Sequence, residues 1–104
     1  MGVTDSEGLP RLGQIVRILR GREAGNFAIV IGVEKPRFVW LADGCTRKAD
    51  KPKKKNVKHV QPTNCIAEEV VEALEKNGRV PNAKLRHALN QYLLHHGNDE
   101  EKGG

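Results

Sequence analysis

Apolar residues come in short bursts through the first half of the chain and at helical spacing through the second. In residues 13–20, Ile15, Val16, Ile18 and Leu19 make a run too short for a helix and rich in β-branching, which predicts a strand. Gly21 and Gly25 follow, and each can adopt the positive φ that a tight reversal needs. A second strand is predicted over 27–33, interrupted by Gly32. After a turn at Lys35 and Pro36 comes a third over 37–42, closed by Asp43 and Gly44. A short fourth is expected over 56–60. Short strands separated by turn signals favour a small closed or nearly closed β-barrel. Phe38 and Trp40 alternate on the third strand and so share a face. Large aromatics dominate burial in small domains, so both are expected in the core, with Arg37, Val39 and Leu41 outward. A platform on which nucleic-acid bases stack is the competing reading.

Beyond residue 64 the period lengthens toward 3.6. Ile66, Val70 and Leu74 form a stripe, widened by Ala67, Val71 and Ala73, while Glu68, Glu69, Glu72 and Glu75 keep to the other side. Thr63 or Asn64 is the expected cap, Glu68 and Glu69 suit the positive end of the dipole, and Asn77 with Gly78 supplies the stop. A second helix is expected from Asn82 or Ala83 to His95, capped by Asn82, with Leu85, Leu89, Tyr92 and Leu93 as its apolar face. The helices should pack on each other and on one side of the barrel. Residues 1–10 and 98–104 are polar and aperiodic and read as flexible tails. The expected organisation is therefore tail (1–10), barrel with a basic loop (11–62), two-helix extension (63–97) and tail (98–104). The fold class is α+β, mostly β.

Charge sharpens this division. Residues 11–62 carry 13 basic against 4 acidic side chains, whereas 63–104 carry 5 against 7. A strongly basic half points to a polyanionic partner, nucleic acid ahead of membrane. The densest stretch is 47–58, with seven basic residues and one acid, Asp50. A solvated loop is the plain alternative, but here the run adjoins a barrel that already carries Arg11, Arg17, Arg20, Arg22 and Arg37. Like charges repel, and an anionic ligand gives a reason to gather them. The candidate RNA-binding residues are Arg17, Arg20, Arg22, Arg37, Arg47, Lys48, Lys51, Lys53, Lys54, Lys55, Lys58 and His59. Lysines would follow phosphates as point charges, while Arg22 and Arg47 have the planar fork for bidentate contact or stacking on a base.

Gly13, Val16, Ile18, Gly21, Gly25 and then Phe27, Ala28, Ile29 and Val30 resemble the KOW motif. That motif is a strand, a glycine-bearing loop and a second strand within an SH3-like barrel. Further along, Asp43-Gly44, Arg47-Lys48, Pro52 with Lys53, Lys54 and Lys55, and Lys58-His59 are similar to small bacterial KOW-domain RNA-binding proteins. Those are related to KOW-motif large-subunit ribosomal proteins. The resemblance covers residues 13–61 and departs at Glu23 and Ala24, where Asp and Lys are more usual. It implies an SH3-like barrel, an RNA ligand (ribosomal RNA first) and ribosomal proteins as further neighbours. Gly21 and Gly25 are then structural glycines. Cys45 and Cys65, twenty positions apart without a disulfide framework, suit a cytoplasmic location.

No nucleophile motif, phosphate-binding loop or dinucleotide fingerprint occurs, and no acid–base pair is evident, so no catalytic residue and no cofactor are expected. Cys45 and Cys65 with His59, His87, His95 and His96 lack structural-zinc spacing, so no metal site is expected either. The longest apolar run is five residues, far short of a membrane span. The rival to RNA binding is a protein-interaction module of the transcription or translation machinery.

Overall fold

The computed structural model describes residues 9–103, so most of the expected N-terminal tail lies outside the described residues. Five antiparallel strands form one sheet: β1 (Gln14–Ile18), β2 (Phe27–Glu34), β3 (Phe38–Ala42), β4 (Lys53–Asn56) and β5 (Val60–Ile66). Their order is β4-β3-β2-β1-β5, which makes β4 and β5 the edges; a 3-10 turn (Val57–His59) joins them. Two helices follow, α1 (Glu68–Asn77) and α2 (Asn82–Gly103). The fold is α+β.

Both faces of the sheet are buried, each by different means. Ile15 pairs with Ile29, and Ile29 with Ala42; this face packs against Val70, Ala73, Leu85 and Leu89 of the helices. On the opposite face Val16 pairs with Ala28 and Val30 with Leu41, and with Ile18, Val39 and Val60 they form a second core that contains no helix. Among the described residues no α-helix packs on that face, yet Val16, Val30 and Val39 are wholly buried.

Glycines fasten the helices to the sheet. Gly13 takes a φ of 83°, and its carbonyl accepts the Ala67 N–H at 2.7 Å where α1 begins. A Cβ there would collide with the Val71 side chain. At Gly44, φ 81°, a Cβ would strike the Asn82 carbonyl at the start of α2. Nearby, the fully buried Gln14 leaves neither end of its amide unpaired. Its Oε1 accepts the Arg11 N–H at 2.9 Å and its Nε2 donates to the Thr63 carbonyl at 2.8 Å, where the β1–β5 register slips.

Several expectations need correcting. Thr63 and Asn64 do not cap α1: both lie in β5, and the Thr63 hydroxyl donates to the Ile15 carbonyl at 2.7 Å. Ala67 stands at the N-cap without a side-chain bond. Asn82 does not cap its own helix, because its Oδ1 accepts the Ala49 N–H at 2.7 Å. The strand expected over 56–60 splits into β4, the 3-10 turn and β5. Phe38 and Trp40 stay out of both cores. Val39 and Leu41 point into the second core, leaving the two aromatics half-buried on the other, outer face, which the helices cover at Ala42. Leu9 and Pro10, assigned to the tail, are buried. α2 runs past His95 to Gly103.

Candidate nucleic-acid interface

The loop between β1 and β2 is a tight reversal built on two left-handed glycines, Gly21 (φ 96°) and Gly25 (φ 93°). The Gly25 N–H donates to the Ile18 carbonyl at 2.7 Å, and the Ile18 N–H to the Asn26 carbonyl at 2.8 Å. Two contacts bring other basic segments to this loop. The Lys55 ammonium donates to the Arg20 carbonyl at 2.9 Å, and the Arg47 guanidinium meets the Glu23 carboxylate at 3.6 Å. The Leu19 N–H donates to the His59 carbonyl at 2.9 Å, which sets Lys58 and His59 alongside. Arg20, Arg22, Arg47, Lys55, Lys58 and His59 thus converge from three separate parts of the chain.

The basic loop over 43–52 is held from both sides. Asp43 Oδ1 accepts the N–H groups of Cys45 and Arg47, each at 2.8 Å, forming an Asx turn. α2 supplies the other anchor: Asn82 holds Ala49, and the Arg86 guanidinium donates to the Gly44 carbonyl at 2.7 Å. Lys48 and Lys51 are exposed on this anchored loop, and Arg47 Nε is buried without a partner. Sequence reasoning missed these holding residues, although Asp43 followed by Gly44 carried the signal of an Asx turn.

The lysines of 53–55 form β4 instead of a loop. Lys53 pairs with Leu41, Lys54 with Trp40 and Lys55 with Val39. Since paired residues project to one face, Lys54 parts from its neighbours and lies on the outer face with Trp40. There its ammonium sits 4.7 Å from the Phe38 ring centroid and 3.1 Å from Glu34. Hydrogen bonds from Lys54 first, and from the Trp40 indole second, hold the Glu34 carboxyl below its ordinary range. Lys53 has no partner among the described residues. Arg37 is exposed at the β2–β3 turn and is tied to the 3-10 turn by the Val57 N–H, which donates to its carbonyl at 2.8 Å. Arg17 stands apart, 5.9 Å from the Phe27 ring centroid on the helix-facing side.

Among the described residues no His, Cys, Asp and Glu side chains gather in threes to hold a metal ion. Nor is any described helix long and apolar enough to cross a membrane.

No family model matches the chain. Over 71 residues it is 32% identical to YbzG of Bacillus subtilis (strain 168), a proposed ribosome-binding protein by its name, covering 68% of this chain and 96% of the relative. The chain belongs to the YbzG family. A second relative of this YbzG-family chain is the large ribosomal subunit protein eL14 of Pyrobaculum arsenaticum. It is 31% identical over 77 residues, covering 66% of this chain and 75% of the archaeal protein. In this member of the YbzG family the basic residues lie on the 21–25 and 43–52 loops, held by Glu23, Asp43, Asn82 and Arg86, and on strand β4.

Proposed function

We propose that this protein is a non-catalytic, ribosome-associated RNA-binding protein of the cytoplasm, built on an SH3-like KOW barrel that contacts RNA phosphates. One observation carries the reading: Arg20, Arg22, Arg47 and Lys55 converge on the 21–25 loop, fastened there by Glu23 and the Arg20 carbonyl. Placing cations beforehand lowers the cost of ordering them on a ligand, and phosphate neutralisation supplies most nucleic-acid affinity. The second buried core, on the face without an α-helix, supports a barrel, and the names of both relatives point to ribosomes. Ribosomal RNA is the first candidate ligand, with ribosomal proteins as neighbours.

The test is cosedimentation with ribosomes, and anisotropy of a labelled ribosomal RNA fragment, across a salt series. Binding should weaken log-linearly with salt, by roughly 0.7–0.9 in slope per phosphate contact. Arg22→Glu together with Arg47→Glu should abolish both signals. Salt-independent ribosome binding by this charge-reversed variant would instead mean that protein contacts carry the association.

One feature favours that second reading. A groove of about 900 Å³ runs between Leu12 and α1, with Ile66 and Val71 as apolar lining and the four glutamates of α1 outnumbering Arg11 and Lys35. It suits a basic peptide segment better than RNA. Leu12→Glu should lower ribosome binding only if this groove is used.

A further inference from the structure

On the outer face of the sheet, the end formed by β2, β3 and β4 carries an aromatic pair that neither core uses. Phe38 and Trp40 are half-buried, and both lie outside the two apolar clusters. Their cross-strand neighbours on this face are not aliphatic. Trp40 is flanked by Gly32 and Lys54, and Phe38 by Glu34 and Asn56. The indole lies close over Gly32, where even a Cβ would come within 3.2 Å of Trp40 Cδ1. Its Nε1 donates to Glu34 Oε1 at 3.1 Å, while Glu34 Oε2 accepts the Lys54 ammonium at the same distance. The indole is therefore fixed at its back and at its polar edge. What covers the rings from outside is the Lys54 ammonium, 4.7 Å from the Phe38 centroid and 5.9 Å from that of Trp40.

We propose that Phe38 and Trp40 form a stacking site for one or two unpaired RNA bases, with Lys54 as a movable cover that a phosphate draws aside. The proposal rests on the RNA-binding reading above and extends it from phosphates to bases. Three observations bear on the occupant. Flat rings fixed in advance suit flat bases, since stacking needs two planar faces and little induced ordering. The polar surroundings, with no aliphatic residue among the cross-strand neighbours, are a poor seat for an apolar peptide. Arg37 is an exposed cation beside Phe38 at the β2–β3 turn, and Lys53 adds another on β4 although it projects to the opposite face, which favours a polyanion. Lys54 is well suited to move. An exposed lysine–carboxylate pair contributes little stability, so a phosphate competes for the ammonium at small cost and the ring faces become free.

Trp40 is the chain's one tryptophan, so its emission reports on this site alone. The experiment titrates the full chain with a short oligoadenylate and, separately, with inorganic polyphosphate, which has charge but no bases. Binding is followed by anisotropy of labelled ligand, independently of the indole. Oligoadenylate should quench Trp40 strongly and polyphosphate should not. Phe38→Ala, outside both cores and checked for folding by circular dichroism, should weaken oligoadenylate binding about tenfold with an unchanged salt slope. Glu34→Gln keeps an acceptor for the indole but releases Lys54, and should tighten oligoadenylate binding several-fold. Salt-dependent binding of oligoadenylate with unmoved Trp40 emission, and no effect of Phe38→Ala, would overturn the stacking site and leave the RNA-binding reading standing. Emission unmoved by RNA but shifted by RNA-free ribosomal protein would assign the face to a protein and overturn it too. Failure of both oligoadenylate and ribosomal RNA to bind at all would overturn the RNA-binding reading with it.

Discussion

Gly25 and Gly44 share a left-handed backbone but differ in what a methyl group would meet. Around Gly25 nothing lies within 4 Å of a built Cβ, so Gly25→Ala adds backbone strain alone, about 1–2 kcal/mol. At Gly44 the same change adds a collision with the Asn82 carbonyl and displaces α2, so Gly44→Ala should cost more than about 2 kcal/mol. Urea denaturation of the two variants should rank them in that order; equal losses would mean that α2 shifts to make room. A second residue-scale prediction concerns Glu34. Its carboxyl is held low by Lys54 and by the Trp40 indole, so its folded midpoint lies below its unfolded one. For a depressed acid the linked stabilisation is present above the unfolded midpoint and is lost as pH falls through the folded one. The Trp40 indole N–H resonance should titrate with a midpoint below that of an ordinary glutamate. In Lys54→Ala the midpoint should rise.

At the scale of elements, what was legible depended on whether a segment's pattern distinguished its two faces. The runs containing Val16, Ile18 and Val30 announced strands, and the Val70–Leu74 spacing announced α1. The third strand was placed correctly but turned inside out, because Phe38, Val39, Trp40 and Leu41 are apolar on both faces and alternation cannot choose between them. β4 was not legible at all: three consecutive lysines carry no strand signal, and pairing with β3 makes the strand. Residues of the candidate interface could be picked out by charge, but their grouping depends on Glu23 and Asn82, which act across the fold, as well as on the local turn at Asp43. β4 gives a further prediction, because its lysines are not equivalent. Lys53 is unpartnered, so Lys53→Ala should flatten the salt dependence of RNA binding by roughly 0.7 in log–log slope while leaving thermal stability unchanged. Lys55 braces the 21–25 loop, so Lys55→Ala should lower the melting temperature as well.

Across the whole molecule, charge and topology divide the surface. The sheet and its loops carry the cations, α1 carries four glutamates, and the helix-facing core ties the two halves together. Among the described residues the same topology leaves β4 and β5 as edge strands, and each is guarded differently. β5 carries Pro62, which cannot donate a ladder hydrogen bond, and β4 carries its three lysines. An open strand edge is a template for another chain, and like-charged ammonium groups keep two such edges apart. Lysines proposed to meet phosphate therefore also keep copies of this chain from zipping together. Replacing Lys53, Lys54 and Lys55 together with Ala should remove the guard on β4, so that the variant self-associates through that edge in sedimentation velocity. Replacing them with Glu should abolish RNA binding yet leave a monomer. A cell that neutralised these three positions, by acetylation for instance, would trade a lost ligand for sticky strands.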